Sequence, residues 1–260
     1  MWIAEQIAEL ASLALAAQES EYRDEQAVYG LDALNEVELH PILAAGLSRG
    51  GLGVLREHPY PKEWRGKCTL SPEASQPPDR RDRLRCDLVL TPVPGQSVRD
   101  PLATHAALRQ HRRDTTGTLF EAHAIRADDH VVCSASPGLP PEEAYWLEVK
   151  VIAQTCYTHG VPGPNSGYSG ELRRAARDLV KLNDDPGIAR GGLLVVLFGE
   201  SEQVTHHDLA VLTHLCLDRD LPIGSPTFAS RPIHDRIGNR IFTVGLLDLR
   251  KPAPMFLFEP

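Results

Sequence analysis

Three residues carry the chemistry that this sequence offers most directly: Asp87, Glu148 and Lys150. The run Ala144 to Gln154, AYWLEVKVIAQ, reads as a strand from its Val, Ile and aromatic content. Strand side chains alternate between faces, so Trp146, Glu148, Lys150, Ile152 and Gln154 share one face and Leu147, Val149 and Val151 form a purely apolar second face. An uncompensated charge among such neighbours is costly. An ion pair between Glu148 and Lys150 is one compensation, although a buried pair is by itself weak evidence of stabilisation. A metal ion is the other. Asp87, a lone acid in the apolar run Leu84 to Leu90 (LRCDLVL), supplies a second carboxylate. With the Val149 carbonyl, the two acids would give Mg²⁺ the oxygen ligands it requires and leave positions for water. Such a cation acidifies its bound water and offsets charge on a phosphate, while the Lys150 ammonium would orient the nucleophile or stabilise a pentavalent transition state. The chemistry implied is hydrolysis of a phosphodiester.

These residues need elements to bring them together. An amphipathic helix is expected at the N-terminus from the spacing of Trp2, Ile3, Ile7, Leu10 and Ala14. Asp24 to Leu47 is helical in pattern, with Pro41 marking a break or the first turn of a second helix. Strands are expected at Gly53 to Tyr60 and Leu84 to Leu90. Thr91 to Glu143, with six prolines and little periodicity, reads as an insertion between better-patterned halves. After the Glu148 strand come a Gly/Pro-rich loop (Thr158 to Tyr168), a helix from about Ser169 to Leu182 and a wholly apolar strand, Leu193 to Phe198, of the kind covered on both faces. A helix at Val204 to Arg219 and a strand at Arg240 to Leu249 complete the order. An α/β fold with a mixed central sheet flanked by helices is predicted, with a crossover joining the third and fourth strands.

An Asp in one strand and Glu-x-Lys in the next, followed by a helix and an apolar strand, resembles the PD-(D/E)XK nuclease superfamily, the restriction-endonuclease-like fold. The likeness covers roughly residues 35–199 outside the insertion at about 91–143, leaving 200–260 as a C-terminal helix-strand extension of one domain. The resemblance implies that Asp87 and Glu148 ligate Mg²⁺, with Mn²⁺ able to substitute, and that Lys150 is the catalytic lysine. It also implies a supporting acid on the leading helix, Glu36 or Glu38. Glu36 is preferred because at helical spacing it aligns with Leu39, His40 and Leu43. Gln154, on the motif face, would contact the metal-bound water or the nucleic-acid backbone. Two departures stand out: Cys86 replaces the proline before Asp87, and Asp87 and Glu148 lie far apart in sequence, so the insertion must leave the sheet and return. The expected activity is a Mg²⁺-dependent endonuclease acting on DNA in preference to RNA, in a defence, restriction or repair setting. A homodimer or a partner protein in a larger complex is expected by analogy alone. The competing expectation is a non-catalytic nucleic-acid-binding or scaffold module that keeps the fold.

Composition narrows the remaining classes. The 260 residues carry a net charge of -8, which speaks against a generally basic nucleic-acid coat but allows a local basic cleft. Arginines cluster at Arg80, Arg81, Arg83 and Arg85, at Arg109, Arg112 and Arg113, and at Arg173, Arg174 and Arg177. Arg173 and Arg177, i and i+4 on the helix after the motif strand, are the best placed of these to meet a phosphate backbone. Lysine is scarce, at five of the 27 basic residues, so its use at position 150 singles out a compact point charge over arginine's wide fork. Five scattered cysteines without a CxxC pair form neither a disulfide framework nor a zinc ribbon, and a reducing cytoplasm is the expected setting. The eleven histidines show no paired metal spacing. The longest apolar stretch is far too short to span a bilayer.

Overall fold

A computed structural model describes residues 2–61, 84–100, 103, 110 and 138–251. Most of the expected insertion, and Arg80, Arg81, Arg83, Arg109, Arg112 and Arg113 with it, lies outside the described residues. Two helices come first, α1 (Ala4–Asp24) and α2 (Glu36–Arg49), then β1 (Gly53–Pro59) and β2 (Arg85–Thr91). Next are β3 (Tyr145–Ala153), the short strands β4 (Thr155–Thr158) and β5 (Val161–Pro164), α3 (Tyr168–Asp184) and β6 (Arg190–Gly199). The chain continues with α4 (Glu202–Leu217), β7 (Thr227–Pro232) and β8 (Ile241–Arg250). No helix among the described residues is long and apolar enough to cross a membrane.

Six strands form a mixed sheet in the order β1-β2-β3-β6-β8-β7. β1, β2 and β3 run antiparallel in succession, β6 is parallel to β3, and β8 and β7 are antiparallel additions at the far edge. β2 and β3 are thus neighbours despite their separation in sequence, as the Asp87 reading requires. The alternation expected in β3 holds. Trp146 and Ile152 pack under α3 and α4, whereas Leu147 and Val149 pack under α1 and α2. β6, buried from Gly191 to Gly199, is covered by both helical layers.

The sequence reading needs correction at three places. The helical pattern from Asp24 ends at once: Leu31–Ala33 is a single 3-10 turn, and α2 begins afresh at Glu36 behind the N-cap Asn35. Asn35 accepts from the Glu38 amide (3.0 Å) and Glu38 reaches back to the Asn35 amide (2.8 Å), a capping box that fixes this helix start. Pro41 lies inside α2 and removes the hydrogen bond to the Val37 carbonyl, which an exposed position leaves to water. The Gly/Pro loop is instead a hairpin, β4–β5, turning through His159 and Gly160 with φ of 52° and 79°, the two positive values that a tight hairpin turn demands. β7 was not expected at all. One close approach fixes the helix pair: a Cβ on Gly46 would lie 2.1 Å from the Ala14 Cβ, so this glycine lets α1 and α2 touch.

Candidate functional site

The β2–β3 ladder pairs Leu90 with Tyr145, Val89 with Trp146 and Leu88 with Leu147, and stops there. The next residues in that register are Asp87 and Glu148. Their strands no longer bond through the backbone: the Val149 amide donates instead to Asp87 Oδ2 at 2.8 Å. On its other side β2 pairs Leu88 with Arg56 and Cys86 with His58 but skips the Asp87–Glu57 step, where Glu57 has φ of 50°. A non-glycine residue in this left-handed region stores strain of a kind that clusters at functional sites. The sheet is therefore interrupted on both sides of Asp87, and the gap lets groups from the two helical layers meet.

They meet at Lys150. Its ammonium lies 3.0 Å from both carboxylate oxygens of Glu36, on the first turn of α2, and 3.4 Å from Asp178 Oδ2 on α3. Asp178 also pairs with Lys181, one helical turn further on. Behind this pair Glu148, only 4 % exposed, accepts a 2.6 Å hydrogen bond from the Tyr60 hydroxyl. Tyr60 is held by stacking on Trp146, with ring centroids 6.0 Å apart. Of the helix acids offered by the sequence, Glu36 joins the cluster and Glu38 serves the capping box.

Four carboxylates, Glu36, Asp87, Glu148 and Asp178, thus face two ammonium groups, and the titration of Glu36, Asp87 and Glu148 reflects burial in this crowded setting. Burial and then the Asp87 charge push the Glu148 carboxyl up to about 8, against which the Tyr60 hydroxyl works only in part. Burial raises Asp87 too, opposed by the Val149 amide and Lys150. It raises Glu36, although Lys150 pulls the other way. Burial by itself would lower Lys150, but Asp178 and Glu36 outweigh it and hold the ammonium firmly charged. A carboxyl held high by burial and then by a neighbouring acid is a group that a bound divalent cation would relieve, so the pair Asp87 and Glu148 fits a cation by its chemistry.

Lys150, Glu36, Asp178 and Lys181 open onto a cavity of about 500 Å³ whose wall also carries Arg174 and Arg177. Arg173, expected to contact nucleic acid, is exposed and does not line it; Arg174, Arg177 and Lys181 occupy the stripe of α3 that does. Gln154 does not join the cluster either. The strand ends at Ala153, and the Gln154 amide donates to Asp208 (3.3 Å) and accepts from the Glu200 amide (3.1 Å).

Sequence reasoning missed Asp178, Lys181, Tyr60 and His40. His40 is the most unusual of them: it is 1 % exposed, neither ring nitrogen has a hydrogen-bond partner among the described residues, and burial lowers its pKa so that the ring is neutral. Its signal was present in the Glu-x-x-x-His spacing of α2, which puts Glu36 and His40 on one face. A scan of family models, a search of curated proteins and a search of solved structures each return no match to this chain.

Proposed function

We propose that the chain is a divalent-metal-dependent nuclease with a restriction-endonuclease-like core, acting on DNA in preference to RNA. One observation carries the reading. Glu36, Asp87, Glu148 and Lys150, drawn from α2, β2 and β3, converge where the β2–β3 ladder opens, with Asp87 bound to an amide 62 positions away. The order helix, strand, strand, strand, helix, strand, with the last two core strands parallel, agrees with that core.

Asp87 and Glu148 would hold the cation, Mg²⁺ or Mn²⁺, and its chemistry is to acidify water and offset phosphate charge. The chain's own groups divide the remaining work. Tyr60 fixes one oxygen of Glu148 and leaves the other to ligate. Lys150, a compact charge, orients the attacking water or meets the negative charge of the pentavalent state. Asp178 gives its ammonium a second partner, so Glu36 can loosen its hold without leaving the lysine unpaired. Arg174, Arg177 and Lys181 present positive charge on the cavity wall to the phosphates flanking the scissile bond. An overall charge of -8 is compatible with this, because part of it is the carboxylate set itself.

The test is incubation of the purified chain with circular DNA, linear DNA and RNA in Mg²⁺ or Mn²⁺, with parallel samples in EDTA. Cleavage that needs the cation and disappears in EDTA supports the reading. Cleavage that persists in EDTA, or none on any substrate, contradicts it.

A further inference from the structure

We infer that Glu36, His40 and Asp87 form a second cation position that prefers a first-row transition ion, Mn²⁺ among them, over Mg²⁺ because it offers an imidazole nitrogen beside carboxylate oxygens. One ligand atom from each residue lies within 4.8 Å of the other two. Ligands about 2.1 Å from a shared ion stand at most roughly 4.2 Å apart, so closure by a few tenths of an ångström completes the set. The site is built into α2: the capping box fixes the first turn, Glu36 opens it, and His40 follows one turn later on the same face.

His40 is what points to a ligand. A histidine this buried normally donates or accepts, yet among the described residues both nitrogens lack a hydrogen bond, and the Glu57 carboxylate stands 3.8 Å from Nδ1, beyond bonding range. Glu57 is placed to orient the ring once the other nitrogen is taken, the arrangement ligating histidines commonly show. Mg²⁺ prefers an all-oxygen shell with several waters, whereas imidazole suits the transition ions, so this set discriminates between them. Lys150 now holds Glu36, and the Asp178 contact gives it somewhere to go when Glu36 turns to an ion. The inference rests on the proposed role of Asp87 as a ligand, which the two positions share; it does not rest on the nuclease reaction.

The full chain, stripped with EDTA and titrated with Mn²⁺ alone, tests it by pulsed electron paramagnetic resonance and calorimetry. The expected spectrum contains nitrogen modulation from one imidazole, lost in His40→Gln, with Mn²⁺ affinity falling by about tenfold or more and Mg²⁺ affinity changing less. Should His40→Gln not fold, Glu36→Gln on the half-exposed first turn is expected to weaken the nitrogen-coupled Mn²⁺ by a similar factor. Mn²⁺ bound without nitrogen coupling, coupling that survives in His40→Gln, or affinity unchanged in Glu36→Gln overturns this site and leaves the Asp87–Glu148 reading intact. No binding of either ion removes both.

Discussion

The Glu19–Arg236 pair, joining α1 to the segment between β7 and β8, and the Glu36–Lys150 pair, at the gap between β2 and β3, are both ion pairs inside the fold, yet they are made of different materials. In the first, the side chains are 7 % and 6 % exposed, and the guanidinium binds Glu19 (2.6 Å), the Ala27 carbonyl (3.2 Å) and the His234 carbonyl (3.4 Å). Glu19 also accepts from the His234 amide, and Asn239 ties neighbouring Asp32 to both backbone groups of Thr155. Backbone partners allow no exchange, so this cluster is a latch. In the second pair the exposures are 32 % and 25 %, and among the described residues the lysine's polar partners are carboxylates, Glu36 and Asp178. A flexible stem among interchangeable acids can trade partners. A planar fork on fixed acceptors holds buried charge in one arrangement, whereas a point charge facing surplus acid leaves chemistry open.

Substitutions that treat the two clusters alike would erase the distinction. Lys150→Ala is expected to lower the rate of metal-dependent cleavage by about a thousandfold, the scale of removing one group that meets transition-state charge, with little loss of melting temperature. Arg236→Met is expected to do the reverse. It leaves Glu19 buried without its partner, costing about 3–5 kcal/mol in denaturant unfolding, while cleavage per folded molecule is unchanged. A Lys150 variant that unfolds, or an Arg236 variant that loses only activity, would collapse the contrast.

A smaller effect sharpens it through pH. The Glu148 carboxyl titrates higher in the folded chain than in the unfolded one, so between about 4.5 and about 8 the folded state holds the extra proton. Stability of the metal-free protein should therefore fall as pH rises through that window, and Glu148→Gln should flatten the slope, because the glutamine is neutral throughout and still accepts from Tyr60. Melting curves of both forms across that range check this. The smallest effects belong to the cavity wall. Arg174→Ala and Arg177→Ala are each expected to weaken nucleic-acid binding while reducing the salt dependence by about one phosphate contact; Arg173→Ala, off that stripe, should change neither.

The sequence was most legible where burial left few choices. In β3 the strict alternation of apolar residues put Glu148 and Lys150 on one face, and a lone acid in the apolar run of β2 stood out as Asp87. Asp178 and Lys181 were illegible because a polar i, i+3 pair on an amphipathic helix looks like a solvated face, and only the packing of α3 on the gap gives them partners. Gln154 misled through periodicity carried one residue past the strand's end, where the backbone turns into the β4–β5 hairpin. β7, whose residues are only half-buried along most of its length, lacks the apolar alternation that announces a strand. His40 was half legible: the Glu-x-x-x-His spacing puts it on one helix face with Glu36, but that pair makes no cluster until Asp87 from another element stands beside it.

The most direct measurement compares wild type and Glu148→Gln, side by side, for cleavage of DNA in Mg²⁺ and in Mn²⁺. Glu148 is buried and already neutral near pH 7, so the variant should fold as the parent does and differ only in its power to hold a cation. Cation-dependent cleavage by wild type and its loss in a folded Glu148→Gln is the result expected. Equal cleavage by the two proteins would contradict the account, as would wild type without activity.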